Sequence, residues 1–220
     1  MSPRPCAVFD LDGTLVDSLE AIVLAVSGTL ETRGGPVPAP AEITAHMGMG
    51  LPTLFRWATG LEAPEALEPL VRETRDRYRR LWRARTRVFP GIPEMLGELR
   101  SRGVVLAVLS NKGHESTVEV TEGLFPPGTF AAVHGLREGW PGKPSPAGLL
   151  RILGALDAAP DAAFMVGDMA VDVRTGRAAG VRTAGVCWGF QGPAAFDDAP
   201  PDVLVRHPAE IPRLFPGRLQ

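Results

Sequence analysis

Lysine is nearly missing from this chain. Of 23 basic residues only Lys112 and Lys143 are lysines, which leaves 21 arginines by subtraction. With Ala, Gly and Pro abundant, this is the mark of a GC-rich coding bias, so an arginine carries little information here and a lysine carries more. Cysteine is just as scarce. Cys6 and Cys187 are the only two, each inside an apolar run, which reads as two small buried hydrophobes rather than a disulfide or a metal pair. An excess of basic charge is absent too, the net charge being −2 and the pI near 6.1. That excludes a chain-wide electrostatic footprint for nucleic acid or an anionic membrane. No apolar stretch is long enough for a membrane span, and "MSPRP" lacks the basic-then-apolar design of a secretory signal. The expectation is a cytoplasmic protein, monomer or homodimer, with no nucleic-acid or membrane partner.

What is present is a repeated alternation. Short apolar runs of strand length fall at 6–9 (CAVF), 104–109 (VVLAVL), 131–133 (AAV), 163–166 (AFMV) and 181–187 (VRTAGVC). Helical patterns separate the later ones, as in a parallel sheet covered by helices. "GIPEMLGELRSRG" places Ile92, Met95, Leu96 and Leu99 at i, i+3, i+4 and i+7, with Pro93 near its start and Gly103 just past its end. "SPAGLLRILGAL" and "VDVRTGRAAG" read the same way, the second closed by Gly180. The fold expected is α/β, a doubly wound parallel sheet.

From about 17 to 87 the rhythm breaks into helical pieces with no strand-length run, separated by "RGGPVPAP", "GMG" and "GLEAP". This is an all-helical insertion after the first strand, so residues 1–16 and 88–220 form the core and 17–87 a second domain. Asp17 and Glu20 stand in capping-box spacing at its first helix, whose inward face is expected to carry Leu19, Ile22, Val23, Val26 and Leu30. The crossings near 15–18 and 86–90 are hinge candidates.

The chemistry lies at the strand ends. "CAVF" runs directly into Asp10 and Asp12, two carboxylates on one side of an extended backbone, followed by Gly13 and Thr14. Two like charges that close are costly unless a cation or a proton offsets them. A helix-capping role explains one acid, Asp17, but not two. The next strand ends in Ser110 and Asn111, "GKPSP" brings Lys143, and "GDMAVD" brings Asp168 and Asp172. In an open α/β sheet these carboxyl ends are where ligands bind. A nucleophile, a hydroxyl donor, a fixed cation and acidic oxygen ligands that suit Mg²⁺ thus converge on one edge.

Those motifs, DLDGT at 10–14, Ser110, Lys143 and GDMAVD at 167–172, resemble those of the haloacid dehalogenase-like superfamily. The resemblance spans the whole chain. It implies a Rossmann-like core with a C1-type helical cap, and the "VFPGIPEML" and "GKPSP" contexts are most similar to the phosphoglycolate phosphatase branch. It further implies that Asp10 attacks phosphorus and that Asp12 serves as acid and base, held in place by Thr14. Ser110 and Lys143 would hold phosphoryl oxygens, with Gly13 and Asn111 against the substrate. Asp10, the Asp12 carbonyl, Asp168 and Asp172 would serve the metal site. Asp12 and the absence of lysine from 17–87 disfavour dehalogenase and phosphonate-cleaving chemistry. A phosphomutase, a broad sugar or nucleotide phosphatase and, outside enzymes, a phospho-acceptor signalling domain stay open.

The partner expected is a small phosphorylated metabolite. Leaving-group contacts are sought in "HMGMGLP", 46–52, with the backbone at Gly48 and Gly50 and the Arg56 side chain as candidates for a substrate carboxylate. The eight arginines of "RETRDRYRRLWRARTR", 72–87, read as a solvated helix face. Trp57 and Trp82 are expected in core or interface.

Overall fold

The computed structural model describes residues 4–215. Along the chain, β1 (Cys6–Phe9) and the two-residue β2 (Val16–Asp17) lead into α1 (Leu19–Thr32), α2 (Pro40–Ala45), α3 (Leu51–Thr59) and α4 (Pro64–Arg85). Next come β3 (Arg87–Val88), α5 (Ile92–Ser101), β4 (Val105–Gly113), α6 (His114–Leu124), β5 (Ala132–Leu136) and α7 (Ala147–Ala155). Then follow β6 (Ala163–Gly167), α8 (Ala170–Ala178), β7 (Arg182–Val186), β8 (Val203–Val205) and a short 3-10 helix (Pro208–Leu214). Two compact units result, one built from the chain up to Val16 and from Val88 onward, the other Asp17–Arg87.

In the first unit the described strands form a parallel sheet in the order β5-β4-β1-β6-β7-β8. β1 lies between β4 and β6 with Phe9 opposite both Val108 and Val166. All four of its residues are fully buried, as expected of a central strand with both faces covered. Alternation sends Cys6 and Val8 to one face. There they join Ala107, Leu109 and Met165 and the α7 side chains Leu149, Ile152 and Leu153 in one cluster. Strand order turns outward in both directions from β1, which makes the ends of β1, β4 and β6 the switch-point crevice of a doubly wound sheet.

Several expectations change in detail. β4 does not stop at Leu109 but continues through Ser110, Asn111 and Lys112 to Gly113, with a register shift against β5 between Leu109 and Gly113. β8 is a strand that periodicity missed, because three residues of "VLV" are too few to show alternation. Ile92, Met95, Leu96 and Leu99 are all buried as the α5 pattern requires, and Gly180 has φ +69° just past α8.

In the helical unit α1 starts at Leu19, and the cap is not the Asp17 capping box expected: Asp17 Oδ1 accepts from Leu19 N at 3.2 Å, and Ser18 is the N-cap residue. Its buried stripe is Ala21, Ala25, Val26, Thr29 and Leu30, so Leu19, Ile22 and Val23 sit at the margin of the packed face. The reason is that α4 packs through small and hydroxyl groups, Thr74 Oγ1 donating to Thr29 Oγ1 at 2.9 Å. Behind it α4 buries Leu67, Leu70, Val71, Tyr78 and Trp82. Most of the arginines of 72–87 face outward. Trp57 is not core: it is 38% exposed and stacks on His46 with ring centroids 3.6 Å apart. Among the described residues no helix is long and apolar enough to cross a membrane, and both cysteines are free.

Candidate active site

Because Asp10 follows Phe9 directly, its carboxylate emerges at the end of the central strand, and its amide still donates to Val166 O at 2.8 Å. The chain then turns tightly. Gly13, Thr14 and Val16 hydrogen-bond within the Leu11–Val16 turn, and Gly13 takes φ +84°. A Cβ on Gly13 would stand 2.2 Å from Asp168 Oδ2, so both backbone conformation and space demand glycine there.

β6 delivers Asp168 one residue past Gly167, level with the end of β1. Thr14 Oγ1 donates to Asp168 Oδ1 at 3.0 Å and the Phe190 amide donates to Oδ2 at 3.3 Å. The expectation that Thr14 secures Asp12 is therefore corrected: its hydroxyl reaches across to β6 and orients Asp168. Four residues on, Asp172 lies in the first turn of α8. It accepts from Met169 N at 3.1 Å and from Lys143 Nζ at 2.6 Å.

Lys143 is fully enclosed. Its ammonium lies 2.9 Å from Asp10 Oδ1 and 2.6 Å from Asp172 Oδ1. The Asp10 contact is ionic and off the hydrogen-bonding direction, since Asp10 Oδ1 is buried with no hydrogen-bond partner. Burial alone would lower the Lys143 pKa, but the charges of Asp10 and Asp172 overcome it and raise the pKa above the ordinary lysine value. Lys143 is a permanent cation here. Burial pushes Asp10 up to about 6, with Lys143 pulling the other way. Burial likewise drives Asp168 well above the ordinary carboxylate value, with Asp10 and Asp172 adding like-charge repulsion.

One ligand oxygen from each of Asp10, Asp168 and Asp172 falls within 4.8 Å of the others. Three buried carboxylates around one lysine leave negative charge uncompensated. An all-oxygen set of this kind, one oxygen lacking a hydrogen bond, fits a hard divalent cation.

Ser110 and Asn111 occupy the irregular end of β4. Ser110 is buried and its Oγ accepts from Lys112 N at 3.2 Å. The Asn111 side chain, expected against substrate, is instead engaged with the backbone of Lys143: Nδ2 donates to Lys143 O at 2.9 Å and Lys143 N donates to Oδ1 at 2.8 Å. This double clamp positions Lys143. Gly48, Gly50 and Arg56 belong to the helical unit. The two glycines have φ +94° and +85°, and Arg56 lies 3.7 Å from Glu62 in an exposed ion pair.

Two groups at the site escaped the sequence reading. The first is "WGFQGP", 188–193, which follows β7. Trp188 Nε1 donates to Thr14 O at 3.0 Å, the Phe190 amide binds Asp168, and a Cβ on Gly189 would stand 2.2 Å from Asp168 Cβ. Backbone donors and an absent side chain leave no mark in composition. The second is Lys112, whose Nζ contacts both oxygens of Asp12 at 3.0 and 2.9 Å. Its signal was in view, as the chain's only other lysine and two positions after Ser110.

Residues 7–186 match the family described as haloacid dehalogenase-like hydrolase. The chain is similar to the phosphoglycolate phosphatase of Aquifex aeolicus, 32% identical over 212 residues that cover 96% of this chain and 97% of that protein. It is also 35% identical over 187 residues to the phosphoglycolate phosphatase of Chromobacterium violaceum, covering 83% of this chain and 84% of that one. Among solved structures, a haloacid dehalogenase-like family protein from Streptococcus pneumoniae matches with a TM-score of 0.85 at 26% identity, over 98% of this chain and 100% of that one.

Proposed function

The chain belongs to the haloacid dehalogenase-like hydrolase family, as a phosphoric monoester hydrolase, and we propose that it is a Mg²⁺-dependent phosphatase that works through an aspartyl-phosphate on Asp10, with 2-phosphoglycolate as substrate. The observation that carries the mechanism is the buried cluster of Asp10, Lys143, Asp168 and Asp172 beyond the ends of β1 and β6.

Asp10, at the end of a rigid central strand, attacks phosphorus in line with the departing ester oxygen, which turns one difficult displacement into two easier ones. Asp10, the Asp12 carbonyl and Asp168 would hold the ion, with Asp172 beside them; when bound, Mg²⁺ supplies the positive charge that lets a carboxylate approach a phosphate dianion. Lys143 and Ser110 take the remaining phosphoryl oxygens, where charge builds in the transition state. The Gly13 N–H does not extend this phosphoryl cradle, because it donates to Val16 O at 2.9 Å. Asp12 gives a proton to the departing alkoxide and then takes one from the water that attacks phospho-Asp10, which restores both carboxyl groups.

The named activity of the relatives supports 2-phosphoglycolate. In the helical unit Gly48, Gly50 and Arg56 are candidates for the leaving-group side. The test is kcat/KM for 2-phosphoglycolate, hexose phosphates, nucleoside monophosphates and pyrophosphate, with Mg²⁺ and with chelator. A preference for 2-phosphoglycolate of at least about tenfold, roughly 1.4 kcal/mol of transition-state discrimination, is expected, with activity lost on chelation. Hydrolysis without that preference sinks the substrate assignment alone.

A further inference from the structure

Lys112 is the second of only two lysines in a chain that otherwise uses arginine. β4 is what puts it there. Past Leu109 the strand loses regular register with β5, and the Lys112 side chain reaches Asp12 in the β1 turn while the Asn111 side chain engages Lys143. The ammonium grips both Asp12 oxygens, and the two side chains are only 10% and 15% exposed. Each lysine thus attends one of the paired acids of β1: Lys143 the nucleophile, Lys112 the proton donor.

This division has a consequence for substrate choice. The departing ester oxygen must come within hydrogen-bond distance of Asp12, about 2.5–3.0 Å for an O–H···O bond. Lys112 Nζ already stands at that distance from the same carboxylate. A substituent one carbon from the ester oxygen therefore comes within reach of a nearly enclosed positive charge on a flexible four-carbon stem. When Asp12 takes up and gives its proton, its hold on Lys112 weakens and the ammonium becomes available to a negative group on the leaving side.

We propose that Lys112 is a specificity-determining residue, binding a carboxylate carried on the carbon next to the ester oxygen and so favouring 2-phosphoglycolate-like esters over neutral ones. The inference rests on the phosphatase reading above and deepens it: a core side chain, rather than the helical unit alone, reads the leaving group. A charge-assisted contact of this kind is directional enough to separate a carboxylate from a methyl group, and a nearly enclosed site strengthens it.

The experiment compares 2-phosphoglycolate with ethyl phosphate, in which methyl replaces the carboxylate, in wild type, Lys112→Met and Lys112→Arg. Taking the ratio of the two kcat/KM values in each protein removes the intrinsic difference between the esters. In Lys112→Met the ratio should fall at least about tenfold, with part of the loss in KM for 2-phosphoglycolate, and Lys112→Arg should keep most of it because it keeps the charge. Equal losses for both esters would overturn the proposal and leave Lys112 as a positioning residue for Asp12. An unchanged ratio would overturn it as well. Should Lys112→Met fail to fold by circular dichroism, Lys112→Gln removes the charge at similar length and is read in the same way. Wild-type protein that hydrolyses neither ester would defeat the phosphatase reading itself, a result distinct from both.

Discussion

Asp168 shows how much a single side chain at this site depends on what its neighbours lack. Glycines at 13 and 189 close on its carboxylate from two sides, and either Cβ would stand 2.2 Å from one of its atoms. Gly189→Ala should therefore displace Asp168, lower kcat/KM for every phosphate ester on the order of 10²-fold, as a displacement near 1 Å can, and raise the Mg²⁺ concentration needed for half activity. Steady-state kinetics across a Mg²⁺ titration checks this. A wild-type Mg²⁺ dependence in the variant would show that Asp168 is not held by this contact. The acids themselves were legible, because two carboxylates ending an apolar strand make no sense as packing. Their supports were not: Thr14 bonding to Asp168 and Trp188 bonding to Thr14 join residues 154 and 174 positions apart in the chain, and the Phe190 amide reaches Asp168 from an irregular loop 22 positions on.

β4 is the element on which sequence and structure differ most. An apolar run ending at Leu109 says nothing about a strand that continues through a polar segment, and the register shift between Leu109 and Gly113 depends on pairing with β5. What that segment does for catalysis is seen in Asn111. Asn111→Ala leaves the Lys143 backbone N–H and C=O without their side-chain partners, at about 1–3 kcal/mol for a buried unsatisfied group. Since Lys143 serves the phosphoryl group that all substrates share, kcat/KM should fall by about 10- to 100-fold, to the same extent for 2-phosphoglycolate and ethyl phosphate. A loss confined to one ester would instead return Asn111 to the leaving-group side. The long regular elements, by contrast, could be read directly. The α5 pattern matches its buried face position for position, whereas α1 is offset because its partner α4 meets it through Thr29 and Thr74, which no hydrophobic count includes.

For the whole molecule, the enclosed carboxylates are a store of instability that a cation releases. In the metal-free protein the Asp10 pKa is raised from an ordinary 3.8 to about 6. Between those values the folded chain holds a proton that the unfolded chain has given up. Stability thus declines as pH rises through that window, with the cost fully present above it. A divalent ion, which needs ionised ligands, should raise the melting temperature more at pH 7 than at pH 5. At a hundred times its Kd the gain should be roughly 5–10 °C for a chain of this size. Scanning calorimetry with Mg²⁺ and with chelator at the two pH values reads this directly, and a larger shift at pH 5 would contradict the carboxylate site. Reductant should make no difference, since both thiols are free and burial pushes Cys6 up to about 12.

The central claim is that phosphorus passes through Asp10, and the most direct test is to catch it there. Protein mixed with substrate and Mg²⁺, quenched in acid during turnover and mapped by peptide mass spectrometry, should carry a phosphoryl group on Asp10. The signal should be stronger in Asp12→Ala with an activated aryl phosphate, because the first step then needs little acid and the second lacks its base. Asp10→Asn should give neither the adduct nor turnover. A phosphoryl group on any other residue, or substantial turnover by Asp10→Asn, would contradict the mechanism.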